Sequence, residues 1–316
     1  MGTPLKVSEA CGCGPSCCTP STGKSDGAVK KPDALIEEVR AGYAAIAEKG
    51  VWLGDPSRSS PDACDSAGGC CGGSTISVEV LAKQLGYSVE ELRALPEGSN
   101  MGLSCGNPTA LASLAAGEVV VDLGSGGGFD CFVAGPKVGP SGKVIGVDMT
   151  PEMISKARKN TAQYVERTGL SNVEFRLGEI GNLPIADGTA DVVISNCVLN
   201  LAPDKARVWR EIERVLKPGG RVAVSDLALV KPLPPQIMNM MEALVGCVSG
   251  AVLIADTAAQ MQAAGFVEIK LTSKPTYVDA MTNGEDPLYK RIVEALPPGE
   301  KPSDYITSLD IAARKS

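Results

Sequence analysis

Five short runs rich in Val and Ile, EVVVDLG, KVIGVD, VEFRLG, DVVISN and RVAVSDL, recur between residues 118 and 227. Helix-length stretches separate most of them, notably PEMISKARKNTAQYVERTG and DKARVWREIERVLKPGG, the second closed by the stop signal KPGG. Strands apolar on both faces need helices above and below them. The pattern therefore predicts an α/β, doubly wound, largely parallel sheet. VEIKLT and YITSLDIAARK read as two final strands, expected as antiparallel partners at the edge. A long insertion precedes them, with a helical run expected near Met238 to Leu253.

The first strand runs into VVVDLGSGGGFD, which puts Asp122 at a strand end and Gly124, Gly126 and Gly128 in the turn after it. Glycines let a backbone approach a ligand closely. The second strand ends in Asp148, twenty-four residues beyond Gly124, where a carboxylate can accept both hydroxyls of an adenosine ribose, with Met149 next to it. A dinucleotide loop wants G-x-G-x-x-G, but the position three after Gly126 is Phe129. G-x-G-x-G suits a nucleoside with a compact amino-acid tail and no pyrophosphate, so S-adenosylmethionine is the expected cofactor, with Asp122 positioning the ammonium of that tail. Glu179 and Ile180, after the third strand, are expected beside the adenine. Ser195 and Asn196 open the loop after the fourth, at the carboxyl edge where such sheets bind ligands.

Eleven cysteines and no histidine make sulfur the distinctive reactive side chain. The first twenty residues hold too little apolar sequence for a signal peptide, and no stretch reaches eighteen uninterrupted apolar residues. A cytoplasmic protein without a membrane partner is expected, and there cysteines serve more as ligands or reactive thiols than as structural disulfides. A net charge of about -7 argues against nucleic acid. Four domains are expected: a flexible Cys-rich tail at 1–30 containing CGCGPSCC, a helical and thiol-bearing lid region at 31–117, a cofactor core at 118–230, and a substrate-binding insertion with the final strands at 231–316. In the second, Leu35, Val39, Tyr43 and Ile46 fall at helical spacing.

Cys197, in ISNCVLNL, follows the fourth strand, and Cys247, in EALVGCVSGA, lies in the insertion; the topology can place both across one crevice. Cys64, Cys70 and Cys71 offer a third thiol from a Gly-rich segment. Three thiolates suit a soft, trigonal, trivalent centre, whereas zinc prefers four ligands and often histidine. Cys105, in GLSCGNP, and Cys131, at the start of a helix, read as less involved; packing or a modestly lowered pKa suits Cys131.

VVDLGSGGGFDCF, GKVIGVDMTPEMI, NVEFRLGEI, DVVISNCVLNLAPDK, RVLKPGGR, SDL and GCVSGA closely resemble the arsenite S-adenosylmethionine methyltransferases, over roughly residues 76 to 316. The resemblance implies a class I S-adenosylmethionine-dependent fold of seven strands with a substrate-binding insertion after the fifth. It also implies trivalent arsenic held by Cys197, Cys247 and a third cysteine from the amino-terminal segment, carried over to Cys71 with Cys64 and Cys70 left open. The expected partners are arsenite or an arsenic–thiol conjugate and a reductant such as glutathione or a thioredoxin-like protein, with the chain a monomer. Gly181 departs from the acidic residue the family commonly has after GEI. Two other readings compete: a methyltransferase of another small molecule such as a quinone precursor, and a non-catalytic thiol-rich metal-binding protein.

Overall fold

The computed structural model describes residues 32–50, 78–238, 240, 243, 247–283 and 286–316. CGCGPSCC and the Cys64, Cys70 and Cys71 segment lie outside the described residues. Among the described residues no helix is long and apolar enough to cross a membrane.

Seven strands form one sheet: β1 (Val119–Leu123), β2 (Lys143–Asp148), β3 (Val173–Leu177), β4 (Ala190–Asn196), β5 (Leu216–Leu229), β6 (Phe266–Lys274) and β7 (Ile306–Lys315). Their order is β3-β2-β1-β4-β5-β7-β6. The first five pair in parallel, and β7 runs antiparallel to both β5 and β6. The class I S-adenosylmethionine-dependent methyltransferase topology expected from the sequence is therefore present. Of the two final strands only β6 lies at the edge. The chain passes beyond β7's place and returns through two helices before β7 closes the gap beside β5. The helix before KPGG ends at Val215, as that stop signal predicts, and KPGG itself lies in the irregular start of β5, where the register with β4 shifts.

The inner parallel strands β1, β2 and β4 are buried on both faces, as their continuous apolar runs require, whereas the edge strand β3 is only partly covered. One face carries α5 (Phe129–Val138) and α6 (Pro151–Thr168), with Phe132, Phe175 and Tyr164 in contact. The other carries α7 (Lys205–Val215) and the helix Ile254–Ala263. Asp204 caps α7 by accepting from the Arg207 amide at 2.9 Å, and its apolar stripe of Val208, Trp209, Ile212 and Val215 is buried. Trp209 is 1% exposed and meets Phe266 edge-on at 5.9 Å. Trp209→Ala is expected to cost about 3–5 kcal/mol of stability through the cavity it leaves, read as a lower urea midpoint at unchanged slope.

Upstream of the sheet, α1 (Pro32–Lys49) carries the predicted Leu35, Val39, Tyr43 and Ile46 face, with Val39 and Ile46 buried. α2 (Val78–Gln84), α3 (Val89–Ala94) and α4 (Pro108–Ala112) lead into β1. In the insertion, α8 (Pro235–Met238) is short, and Cys247–Gly250 is a turn where a helix was expected. The turn is enforced by Cys247, whose φ is 62°, and by Gly250, where a Cβ would lie 2.0 Å from the Asn200 carbonyl oxygen.

Candidate active site

The strand order reverses between β1 and β4, and a cavity opens outside their carboxyl ends, where this architecture binds ligands. Gly124, Gly126, Asp148, Met149, Glu179, Ile180, Asn196 and Cys197 all line it. Gly124 sits at φ +68°, and a Cβ there would meet Val198 Cγ2 at 2.5 Å, so this turn position tolerates no side chain. Asp148 Oδ2 accepts from the Gly126 amide at 2.9 Å and Oδ1 from the Thr150 amide at 2.8 Å. Burial pushes the Asp148 carboxyl up, against those amide donors, which hold it down.

Two predicted loop residues stand apart from this cavity. Gly128 begins α5 and faces Phe132 and Phe175, so it serves packing of the loop onto the helix layer. Asp122 is 2% exposed and lines a smaller adjoining cavity with Ser125, Gly126 and Asp130. The Cys131 thiol donates to Asp122 at 3.1 Å, and burial followed by the Asp122 charge raises its pKa. The lowered pKa considered for Cys131 is thus reversed, because desolvation and a carboxylate outweigh the helix start.

α1 forms one wall of the cavity through Ile36 and Tyr43, and Arg40 reaches Glu179 at 3.4 Å. Opposite, Arg207 runs alongside Gly181: a Cβ at that glycine would lie 3.7 Å from Arg207 Cδ.

The two predicted cysteines meet through the Cys247 thiol and the Cys197 backbone. Cys247 Sγ donates to the backbone carbonyl of Cys197 at 2.8 Å. Four described non-glycine residues have positive φ, and two of them are Cys197 (55°) and Cys247 (62°). Such a conformation costs about 1–3 kcal/mol for a residue with a Cβ, and it persists where the surroundings dictate a side-chain direction. Gly250 packs against Asn200, which ties the Cys247 turn to the 3-10 turn Leu199–Leu201 following Cys197. Burial pushes the Cys247 thiol up, with Asp226 adding to it and a hydrogen bond from Tyr43 opposing it. Burial likewise pushes Asp226 up to about 7, against three amide donors from Leu227, Leu199 and Asn200.

Cys105, read from sequence as peripheral, forms a disulfide with Cys197, with Cα atoms 6.1 Å apart. Its Sγ, that of Cys197 and an oxygen of Asp226 lie within 4.8 Å of one another. Asn196, expected at the cofactor, also builds this arrangement. Its Oδ1 accepts from the Cys105 amide at 3.0 Å, while its Nδ2 donates to the Gly106 carbonyl and to Asp130, each at 3.0 Å. One local signal pointed here: Cys105 precedes Asn107 and Pro108, a helix cap followed by proline, so its backbone is held by a defined turn. That signal says nothing of what the thiol faces.

A family model described as a methyltransferase domain matches residues 114–284, more than half of the chain. The chain belongs to the methyltransferase-domain family. Among similar proteins, an arsenite methyltransferase from Halobacterium salinarum is 46% identical over 252 residues, covering 78% of this chain and 60% of that protein. An arsenite methyltransferase from Aquipseudomonas alcaligenes is 41% identical over 180 residues, covering 56% and 51%. The chain thus spans between half and two thirds of the length of these relatives. A crystal structure of an arsenic(III) S-adenosylmethionine methyltransferase from Chlamydomonas reinhardtii is 29% identical with a TM-score of 0.53, covering 74% of this chain and 72% of that one. In this methyltransferase domain the site has the marks of a ligand cradle. The Ser125 hydroxyl in the glycine loop is buried without a hydrogen-bond partner, beside Gly124 and Gly126 on the cavity wall.

Proposed function

We propose that this chain is an arsenite methyltransferase, moving methyl groups from S-adenosylmethionine to trivalent arsenic held by thiolates. One observation carries the reading: Cys197, on the wall of the cofactor cavity, and Cys247, fifty residues away in sequence, are both held at positive φ, and the Cys247 thiol donates to the Cys197 carbonyl at 2.8 Å. The relatives' arsenite activity supports the same reading.

Asp148 would hold the ribose hydroxyls, Glu179 and Ile180 the adenine side, and Gly124, Gly126 and Asp122 the amino-acid tail. When bound, S-adenosylmethionine supplies a methyl group already activated by a sulfonium charge. The protein's part is to hold the nucleophile. Cys197 and Cys247 replace hydroxyls of arsenite, and thiolate ligation leaves the arsenic lone pair as the attacking electrons, so no protein base is needed. The third thiolate comes from the segment carrying Cys64, Cys70 and Cys71, with Cys71 preferred, or from Cys105, which the described residues bring against Cys197. Ile36, Tyr43 and Val198 line the cavity with apolar surface that keeps water from it.

While Cys197 is bonded to Cys105 it cannot ligate arsenic, so turnover requires a reductant. Glutathione or a thioredoxin-like protein fits this demand, and the reducing cytoplasm is the matching compartment; the chain acts as a monomer. Protein oxidised to the Cys105–Cys197 disulfide is expected to show about tenfold or lower arsenite-dependent turnover, restored by prior dithiol treatment, with S-adenosylmethionine affinity by calorimetry unchanged. Equal activity before and after reduction would remove the disulfide from the cycle. The deciding assay for the function is methyl transfer from labelled S-adenosylmethionine with and without arsenite, products resolved by species. Transfer to a quinone precursor, or metal binding with no transfer, would replace the arsenite reading.

A further inference from the structure

Behind the thiols lies a second, smaller chamber of about 50 Å³, separated from the cofactor cavity by Tyr43, Leu103 and Cys197, which line both. Cys247 forms part of its wall. Much of the rest comes from the stretch between β6 and β7: Tyr277 on α10 (Pro275–Asn283), and Asp286 and Tyr289 at the start of α11 (Pro287–Ala295). The α9 helix (Ile254–Ala263) lies outside it. Asp286 Oδ1 caps α11 by accepting from the Leu288 amide at 2.9 Å and the Tyr289 amide at 3.2 Å, which fixes where the Tyr289 ring enters.

Tyr289 is 3% exposed, belongs to the same buried hydrophobic cluster as Ile237, Cys247 and Tyr305, and its hydroxyl is buried without a hydrogen-bond partner. A buried phenol with no partner is costly, and native proteins keep such groups paired unless a water or ligand completes them. A space of this size admits water-sized oxygens and excludes a thiol tripeptide or a nucleoside. Cys197 and Cys247, the cysteines proposed to hold the metalloid, both line it.

Resting on the arsenite reading above, we propose that this chamber is a hydroxyl-recognition subsite, in which Tyr289 donates a hydrogen bond to an oxygen ligand of trivalent arsenic as Cys247 displaces it. In that exchange the Cys247 sulfur–arsenic bond forms and one arsenic–oxygen bond breaks. The thiol proton passes to the departing hydroxide, so the chamber receives one water and the arsenic stays trivalent. The Asp286 carboxylate and Tyr277 hydroxyl give that water further polar neighbours. Tyr289 is thereby specificity-determining: it favours hydroxylated metalloid over metalloid already saturated with thiols, which carries no oxygen for it to meet.

The test compares the full chain with Tyr289→Phe, which removes only the unpartnered hydroxyl. Methyl transfer is measured under a phosphine reductant, which supplies no thiol, with arsenite as one substrate and the tris-glutathione complex of arsenic as the other. The variant is expected to raise KM for arsenite about tenfold and to leave KM for the glutathione complex within about twofold. S-adenosylmethionine affinity stays unchanged, and Tm is equal to or above that of the wild type. Wild-type KM for arsenite in the variant, or parallel shifts for both substrates with a lowered Tm, overturns the subsite and leaves the arsenite function standing. Wild-type protein without arsenite-dependent transfer overturns that function and this inference together.

Discussion

Cys197→Ser is expected to lower arsenite-dependent methyl transfer by at least about a hundredfold, because a hydroxyl cannot replace a thiolate on a soft trivalent centre. Serine is nearly isosteric, and the positive φ at Cys197 is imposed by the loop between β4 and the Leu199–Leu201 turn, so the backbone should keep its path. The Asn196 contacts to Cys105 and Gly106 also survive the change. S-adenosylmethionine affinity, measured by calorimetry, should therefore stay within about threefold of the wild type. Cys247→Ser should behave alike, since a serine hydroxyl can still donate to the Cys197 carbonyl that Cys247 Sγ reaches at 2.8 Å. Wild-type turnover in either purified variant would remove that cysteine from the arsenic site.

Asp148→Ala should instead act on the cofactor. Its two oxygens already fix the Gly126 and Thr150 amides, and the residue lines the cavity where the ribose would lie. The alanine variant removes charge-assisted bonds to ligand worth about 1.5–3 kcal/mol each and leaves two amides of the loop unpaired. S-adenosylmethionine binding by calorimetry is expected to weaken about a hundredfold or more. Asp148→Asn retains a carbonyl acceptor and should recover part of the loss. Unchanged binding in the alanine variant would refute the ribose assignment.

The parallel strands and their glycine loop were legible because they are local. A β-branched run apolar on both faces has one economical home, and a glycine turn after it leaves little choice of ligand side. Asp148, Met149, Glu179 and Ile180 then fall into place by their position at strand ends. Where the reading missed, a distant contact decided. Cys247–Gly250 turns because Gly250 abuts Asn200, and Gly128 faces two phenylalanines, one of them on β3.

The cysteines divide along the same line. Sequence by itself determined that sulfur must carry any metalloid chemistry, since no histidine exists, and that Cys197 lies at the ligand edge of the sheet. Tertiary structure alone decided that Cys105 meets Cys197 and that Tyr289 closes a chamber behind Cys247. Side-chain periodicity reports which face of its own element a residue occupies. It does not report which element ninety residues away will be folded against that face.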